Sequence, residues 1–166
     1  MKAIVFDKKN KPDHLVLREV EKPFPNDNEV LIKIVAVSIN ASDYRTMRMG
    51  IIPKRNIFGG DVAGLVEAIG NNIQKFKIGD EVFGDLAEYG YGGFAEYVTA
   101  PEFLLALKPS GVSHIDAAAM PLASVTALQG LRDIGKIRAG QKVLICGAGV
   151  EWAPLLCSWL KIMGRK

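Results

Sequence analysis

The segment Glu29-Val-Leu-Ile-Lys-Ile-Val-Ala-Val-Ser-Ile-Asn40 carries the strongest structural signal in this sequence. Its residues Val30 to Val37 are apolar or alternate between apolar and polar. The turn-forming residues Pro25-Asn26-Asp27-Asn28 come immediately before it. This pattern predicts a β-strand that begins just after a turn.

Similar short β-rich runs, separated by glycine-rich turns, occupy most of the first hundred residues. The turns include Gly59-Gly60, Gly79-Asp80 and Gly92-Gly93. Many short strands with turns between them fit a barrel or a sandwich. The further predicted strands are Lys2 to Phe6, Leu15 to Val20, Val62 to Ile69, Glu81 to Phe83 and Phe94 to Thr99.

Helical signals are few before Pro109 and dominate after it. One or two helical turns are predicted at Ser42 to Met49, where Ser42 or Asp43 can cap the helix. Ser113-His-Ile-Asp116 is a variant of the capping box and opens the helical run Ala117 to Met120. After Pro121, a second helix is predicted over Leu122 to Ile134.

The end of the chain begins a different kind of unit. An apolar strand is predicted at Lys142 to Cys146, and it runs directly into Gly147-Ala148-Gly149. A strand that leads through glycines into a helix is how a nucleotide-binding βαβ unit starts. The expected fold class is therefore mainly β with an α/β part. We expect residues 1–121 to form a β domain of the barrel or sandwich type, and residues 122–166 to begin a nucleotide-binding domain that is incomplete.

Composition excludes several classes of protein. The 166 residues are 49% apolar and 23% charged, which is enough to bury a core and excludes disorder. The net charge is +3 and its basic residues are scattered, so nucleic acid is not an expected partner. Cys146 and Cys157 lie in apolar sequence and indicate a reducing compartment, which we take to be the cytoplasm. Val143 to Gly164 contains Glu151, Pro154 and Lys161, so we expect no membrane span.

Taken in order, several motifs resemble the zinc-free branch of the medium-chain dehydrogenase/reductase superfamily, the quinone oxidoreductase or zeta-crystallin-like proteins. Together they cover nearly all of residues 1–149. The resemblance implies a GroES-like β-barrel followed by a Rossmann domain that binds NADPH. The motifs are residues 29–40, Ser42-Asp43-Tyr44, Gly60-Asp61-Val-Ala-Gly64, Val66 to Gly70, Lys77 to Gly84, Gly93-Phe-Ala-Glu-Tyr97 and Ala118 to Gly130 with Ala139 to Ile145.

The resemblance also implies a site without zinc. Zinc-dependent relatives have a Cys where this chain has Asn40, and a His-Glu pair where it has Gly60-Asp61. A catalytic zinc ion needs thiolate and imidazole ligands, which these positions lack. We interpret His14 as a loop residue and His114 as a residue of a first helical turn.

Two residues are candidates for catalysis. By resemblance, Asn40 lies close to the nicotinamide and the substrate, and Tyr44 is a candidate donor to the substrate oxygen. Such donors would polarise a carbonyl in place of a metal ion. The structural alternatives are that Asn40 only satisfies backbone groups at a strand end and that Tyr44 packs against the barrel. Asp43 is expected to be a helix cap.

Cofactor contacts are expected from Asn40, Thr126 and the loop Gly147-Ala148-Gly149. Thr126 matches a threonine that contacts the cofactor in the family, although buried threonines are also common in helices. The loop departs from the family pattern after Gly149. Trp152 stands where the third glycine is expected, and Glu151 places a negative charge beside the phosphate site.

Two interpretations of this tail remain open. Codons can be chosen for Val150 to Lys161 whose frame from the third base reads Gly-Val-Gly-Thr-Phe-Ala-Val-Gln-Leu-Ala-Lys, the helix that relatives have. Residues 150–160 would then be a frame-shifted cofactor loop, and sequencing the gene would decide this. Alternatively, Trp152, Leu155, Leu156, Trp159 and Leu160 form an authentic amphipathic helix. Both interpretations predict self-association as a homo-oligomer, or poor solubility.

These observations predict an NADPH-dependent oxidoreductase that reduces a small quinone, enone or carbonyl compound by hydride transfer. This chain would retain the substrate-binding wall but bind the cofactor poorly, with weak or absent catalysis. The alternative is a barrel without enzymatic activity that acts as a structural or binding module. Protection by a nucleotide against thermal unfolding would distinguish the two.

Overall fold

The structure is a computed structural model that describes residues 1–6, 15–53, 55–146 and 153–162. The chain divides into two compact units, residues 1–119 and residues 120–166. The first unit holds all the strands of the described residues. The second unit is helical in the part that is described.

Seven strands form two antiparallel sheets in the first unit. β1 (Lys2–Phe6) pairs with β2 (Leu15–Glu19). A five-stranded sheet has the order β6-β3-β4-β5-β7. Its strands are β3 (Glu29–Val37), β4 (Asp61–Ile69), β5 (Glu81–Asp85), β6 (Tyr97–Pro101) and β7 (Leu105–Leu107).

The predicted β-rich first domain is confirmed, but the strand pairings among the described residues do not close into one barrel. A single isolated bridge, between Ala3 and Ala95, joins β1 to the segment before β6. The predicted strand at Phe94 to Thr99 begins three residues later, at Tyr97. β7 was not predicted, because a strand of three residues is too short to show a periodic pattern.

Alternation along β3 and its neighbours builds the core of the first unit. Ile32 is fully buried while the next residue, Lys33, is exposed. Each fully buried Val or Ile contributes about 1.5–3 kcal/mol relative to exposure. The buried apolar side chains that meet here are Val30, Ile32, Val62, Val66, Phe76, Val82, Leu86, Val98, Ala100 and Leu105.

Two helices complete the first unit. α1 (Ala41–Arg48) follows β3 and confirms the helical turns predicted at Ser42 to Met49. α2 (His114–Ala118) starts where Ser113 caps it by accepting the N–H of Asp116 at 3.1 Å. The predicted capping box therefore opens this helix, and His114 lies in its first turn as expected.

The second unit contains α3 (Pro121–Gln129), a π-helical turn at Gly130–Ile134 and α4 (Ala153–Ile162). The helix predicted over Leu122 to Ile134 is confirmed in extent, with Pro121 as its first residue, where its missing N–H costs no hydrogen bond. Leu156 and Leu160 of α4 pack with Ala127 and Leu131 in a small core.

One predicted element of the second unit is wrong. Lys142 to Cys146 was expected to be a buried strand, but the structure forms no strand there, and Leu144 is 88% exposed. A parallel strand is stable only beside neighbouring strands, and the second unit has none among the described residues. The tail forms a helix at Ala153–Ile162, which does not decide between the two interpretations of this segment, and Trp152 lies outside the described residues.

In the part of the chain that the structure describes, no helix has the length and apolar character that crossing a bilayer would require.

Candidate functional site

The best-organised polar cluster of the first unit lies where β3 leads into α1. Asn40 is the residue that precedes α1, and Asp43 occupies its first turn. The Asn40 backbone N–H donates to Asp43 Oδ2 at 2.7 Å, and the Asp43 N–H donates to the Asn40 carbonyl oxygen at 3.0 Å. The N-cap residue is thus Asn40 and not the predicted Ser42 or Asp43, and Asp43 contributes to capping as the third residue of a capping box.

Asp43 also holds the loop before β4. Its Oδ1 accepts the backbone N–H of Gly59 at 3.1 Å, and the residue is only 2% exposed. Gly59 has a φ of +92°, and a Cβ there would lie 2.7 Å from the Phe94 ring. Burial raises the pKa of Asp43, the backbone N–H groups of Asn40 and Gly59 oppose this, and Asp85 raises it further. One carboxylate thus joins α1 to the start of β4.

Asp61, the first residue of β4, accepts a hydrogen bond from the side chain of Asn40. Asn40 Nδ2 donates to Asp61 Oδ2 at 3.0 Å, and Ser38 Oγ lies 3.4 Å from the same oxygen. Asp61 is 1% exposed, whereas Asn40 is half-buried. The structural alternative was that Asn40 only satisfies backbone groups at a strand end. This hydrogen bond shows that its side chain also joins the end of β3 to β4.

Sequence reasoning missed this function of Asp61, which it considered only as a residue in the position of a zinc ligand. The partner Asn40 lies 21 positions earlier, and no local pattern reports such a contact. A carboxylate at the start of an otherwise apolar strand was the available signal, since a buried charge needs hydrogen-bond partners.

Tyr44 lies on α1 and is 46% exposed, so it is partly covered by the rest of the first unit. The Arg48 guanidinium lies 5.8 Å from the centre of its ring. Two residues later, Thr46 Oγ1 and Tyr91 OH are 3.2 Å apart, which fastens α1 to the loop before β6.

Exposed apolar side chains flank this polar cluster along the chain. Ile39 is 78% exposed, Met49 68% and Ile51 55%. All three lie within or beside the segment that contains Asn40 and α1. Small-molecule sites typically combine apolar side chains with a few fixed polar groups, and this segment of the chain supplies both kinds.

The second unit places Thr126 at an exposed position of α3. Thr126 lines a cavity of about 500 Å³ together with Leu131, Ile137, Ile145 and Leu156. The structural alternative required Thr126 to be a buried residue of the helix, and the exposed position contradicts it. The predicted cofactor loop Gly147-Ala148-Gly149 lies outside the described residues.

Metal-ligating side chains do not gather among the described residues, where no group of three or more His, Cys, Asp and Glu is placed to hold an ion. His114 Nε2 lies 3.3 Å from Glu81 Oε1, and Lys108 Nζ lies 3.1 Å from the other oxygen of Glu81. This trio links α2 to β5 and to the end of β7. His14 lies outside the described residues.

Comparison with protein families identifies one match. The alcohol dehydrogenase GroES-like domain matches residues 26–110, which is about half of the chain. This range includes β3, α1, β4 and the cluster of Asn40, Asp43 and Asp61.

Curated relatives extend the similarity. Human quinone oxidoreductase is 31% identical over the whole chain, which covers 51% of that protein. The 2-methylene-furan-3-one reductase of Solanum lycopersicum is 38% identical over 89% of the chain and 40% of the relative. A zinc-type alcohol dehydrogenase-like protein of Staphylococcus aureus is 33% identical over 90% of the chain and 48% of the relative. The chain thus spans about half the length of the curated relatives it matches.

Solved structures show the same fold. The quinone oxidoreductase of Coxiella burnetii has a TM-score of 0.86 and 31% identity, covering 100% of this chain and 55% of that one. A mycobacterial protein, Rv1454c, solved in complex with NADPH, has a TM-score of 0.81 and 29% identity, covering 100% and 51%.

Proposed function

Because the chain belongs to the alcohol dehydrogenase GroES-like domain family, we propose that it is part of an NADPH-dependent oxidoreductase. The proposed reaction is hydride transfer to a small quinone, enone or carbonyl compound. The observation that carries this proposal is the 31% identity to human quinone oxidoreductase along the whole chain. The NADPH complex of the mycobacterial relative supports the choice of cofactor.

In this proposal residues 1–121 are a GroES-like barrel that binds the substrate, and residues 122–166 belong to the start of the Rossmann domain. The exposed Thr126 would contact the cofactor, as would Asn40 and the loop Gly147-Ala148-Gly149. Glu151 and Trp152 disfavour a dinucleotide beside this loop, because phosphate groups need positive potential and close approach to the backbone. We therefore expect this chain to bind NADPH weakly.

The chain's own contribution to the reaction comes from α1 and the residues before it. The cofactor, when bound, supplies the hydride. Asn40 would donate an N–H to the substrate oxygen, and the exposed Tyr44 hydroxyl would donate a second hydrogen bond. Donors aimed at an oxygen that gains negative charge lower the barrier without a metal ion. Ile39, Met49 and Ile51 would exclude water from the substrate.

We propose that the site works without zinc. Asn40 occupies the position of a cysteine ligand and is bonded to Asp61, so neither offers the thiolate or imidazole that a catalytic zinc ion prefers. Elemental analysis of the purified chain should find less than one zinc ion per ten chains. A stoichiometric zinc ion that is lost in Asn40→Ala would contradict the proposal.

The cofactor is tested by thermal unfolding with increasing NADPH. Millimolar NADPH should raise the Tm of the chain slightly, because a ligand that binds only the folded state stabilises it. Thr126→Val, a variant of equal volume, should reduce the shift, and Ser124→Ala on the same helix is the control. Saturation at micromolar NADPH would contradict the expected impairment. A ring-like assembly with no response to NADPH would instead favour a binding module without enzymatic activity.

The substrate is a small molecule in this proposal, and neither nucleic acid nor a membrane is a partner. Both cysteines are free and exposed, which is consistent with the reducing cytoplasm that we propose as its location. A homo-oligomer is proposed from the exposed apolar side chains of the second unit.

A further inference from the structure

The side-chain amide of Asn40 has two chemically different ends, and the orientation of that amide decides what the site can offer. The nitrogen carries two hydrogens and can only donate, whereas the oxygen can only accept. An asparagine whose orientation is not fixed would present either end to a ligand. A fixed neighbour that can only accept removes this ambiguity.

We propose that Asp61 is a positioning residue that fixes the amide nitrogen of Asn40, so that the remaining N–H is presented to a carbonyl oxygen of the ligand. This inference rests on the proposed function. The Asn40 amide nitrogen can only donate, and it lies 3.0 Å from Oδ2 of Asp61, so this oxygen accepts the hydrogen bond. One of the two N–H groups is thereby occupied. The other is the donor that Asn40 can offer.

Burial makes this arrangement rigid. Asp61 is 1% exposed and lies in the ladder of β4, where its backbone carbonyl accepts the N–H of Ser38 at 3.1 Å. Ser38 Oγ lies 3.4 Å from the carboxylate oxygen that Asn40 uses. On the other side, the Asn40 backbone is held by Asp43 at 2.7 Å. Both the backbone and the side chain of Asn40 are therefore fixed before a ligand arrives, which reduces the entropy lost on binding.

The arrangement selects for the chemistry of the ligand. A quinone, an enone and a carboxamide all present a carbonyl oxygen, which accepts the remaining N–H. A ligand group that only donates would leave this N–H unpaired and would be disfavoured. The proposed preference is therefore for carbonyl oxygens.

The first experiment measures the Asn40 side-chain amide by NMR in the ¹⁵N-labelled chain. In the original protein, the amide hydrogen of Asn40 that is hydrogen-bonded to Asp61 should resonate downfield of the other amide hydrogen. Asp61→Asn should reduce this separation, because its one remaining oxygen is a neutral and weaker acceptor and its amide can turn to present an NH₂ group instead. Asp85→Asn is the matched control, because Asp85 is paired with Asp61 in the β4–β5 ladder but its carboxylate accepts the N–H of Ala87. The Asn40 backbone N–H, bonded to Asp43, should not change in either variant. A separation that is unchanged in Asp61→Asn, or that is reduced equally in Asp85→Asn, would overturn the proposal.

A second set of variants decides the matter if Asp61→Asn does not fold. Asn40→Asp places two carboxylates at hydrogen-bond distance and should lower the free energy of unfolding at pH 7. The double variant Asn40→Asp with Asp61→Asn restores one donor and one acceptor with the direction reversed, and should recover the loss. A double variant no more stable than Asn40→Asp would show that the two side chains do not act as a pair.

The ligand is represented by N,N-dimethylnicotinamide, whose amide carries a carbonyl oxygen and no N–H, added at millimolar concentration. The backbone N–H signal of residue 40 should move in the original protein and in Asp85→Asn, and should not move in the reversed pair, where the side chain at position 40 offers only an acceptor. Movement of the same size in the reversed pair would overturn the assignment of Asn40 as a donor. No movement in any variant would contradict the proposed function, while the amide measurements would still decide the role of Asp61.

Discussion

Asp43 joins two backbone segments through one carboxylate, with each oxygen accepting a different N–H. Asp43→Asn replaces one of these oxygens by an amide NH₂, which cannot accept. Either the N–H of Asn40 or that of Gly59 is then left unpaired in a buried place. An unsatisfied buried donor costs about 1–3 kcal/mol.

We therefore expect Asp43→Asn to lower the free energy of unfolding by about 1–3 kcal/mol in urea titrations. Ser42→Ala on the same helical turn is the control and should change it by less than about 0.5 kcal/mol. Equal effects of the two substitutions would show that the carboxylate does not hold the loop before β4.

Asp85 gives a prediction with a defined dependence on pH. Burial raises the pKa of its carboxyl above 3.8, the N–H of Ala87 opposes this, and Glu88 raises it further. The folded protein therefore binds a proton more tightly than the unfolded chain. The contribution of Asp85 to the free energy of unfolding should therefore fall as the pH rises from 3.8 through the pKa of Asp85 in the folded protein.

Asp85→Asn keeps the acceptor for Ala87 and removes the buried charge. The variant should be more stable than the original protein at pH 7, and this difference should vanish below pH 3.8, where Asp85 is protonated in both states. Asp133→Asn should instead make the protein less stable at pH 7, because Arg132 lowers the pKa of Asp133 in the folded protein. Urea titrations across this pH range would measure both. A difference for Asp85→Asn that does not change with pH would contradict the assignment.

Among the elements, the β3–β4 pair depends on a close approach that only glycine permits. A Cβ on Gly64 would lie 2.2 Å from the carbonyl oxygen of Lys33 on β3. The contact is with backbone in the middle of the sheet, where neither strand can move without breaking ladder hydrogen bonds. Gly79 has a φ of +91° but open space around it.

Gly64→Ala should therefore be the more harmful of two glycine substitutions. We expect it to lower the free energy of unfolding by about 3 kcal/mol, the upper end of the usual cost of overpacking, or to prevent folding, because the contact is with rigid backbone. Gly79→Ala should cost about 1–2 kcal/mol, the strain of a left-handed conformation. Thermal unfolding of both variants would test the order, and a Gly79→Ala variant with the lower Tm would contradict it.

The elements that sequence predicted well are those with local causes. β3 follows from its apolar pattern and the turn before it, and α2 from Ser113 and Asp116, which lie three residues apart. Lys142 to Cys146 has an equally apolar pattern, yet it is not a strand, because a strand also needs a neighbour. The pair of Asn40 and Asp61 was missed for a related reason, since its two members come from different elements. Local patterns thus predicted elements, whereas partnerships between elements required the structure.

At the scale of the molecule, the second unit leaves large apolar side chains exposed to water. Ile134 is 84% exposed and Leu144 88%, whereas Leu156 and Leu160 of α4 are buried in the unit's own core. The sequence led us to expect that the large apolar side chains of the tail drive self-association. We propose that Ile134 and Leu144 contribute to it instead of the two buried leucines, because exposed apolar area is what association removes from water.

We expect the chain to associate reversibly as its concentration rises, driven by these two side chains. Ile134→Lys with Leu144→Lys should shift sedimentation-velocity profiles towards the monomer without lowering the Tm, because neither side chain is buried in the second unit's core. Phe24→Lys, which replaces an 80% exposed side chain of the first unit, is the control. A monomer at every concentration would contradict the expectation. If Phe24→Lys alone abolished association, the contact between chains would lie on the first unit instead. A charge added at one exposed apolar position of that unit would then be sufficient to prevent association.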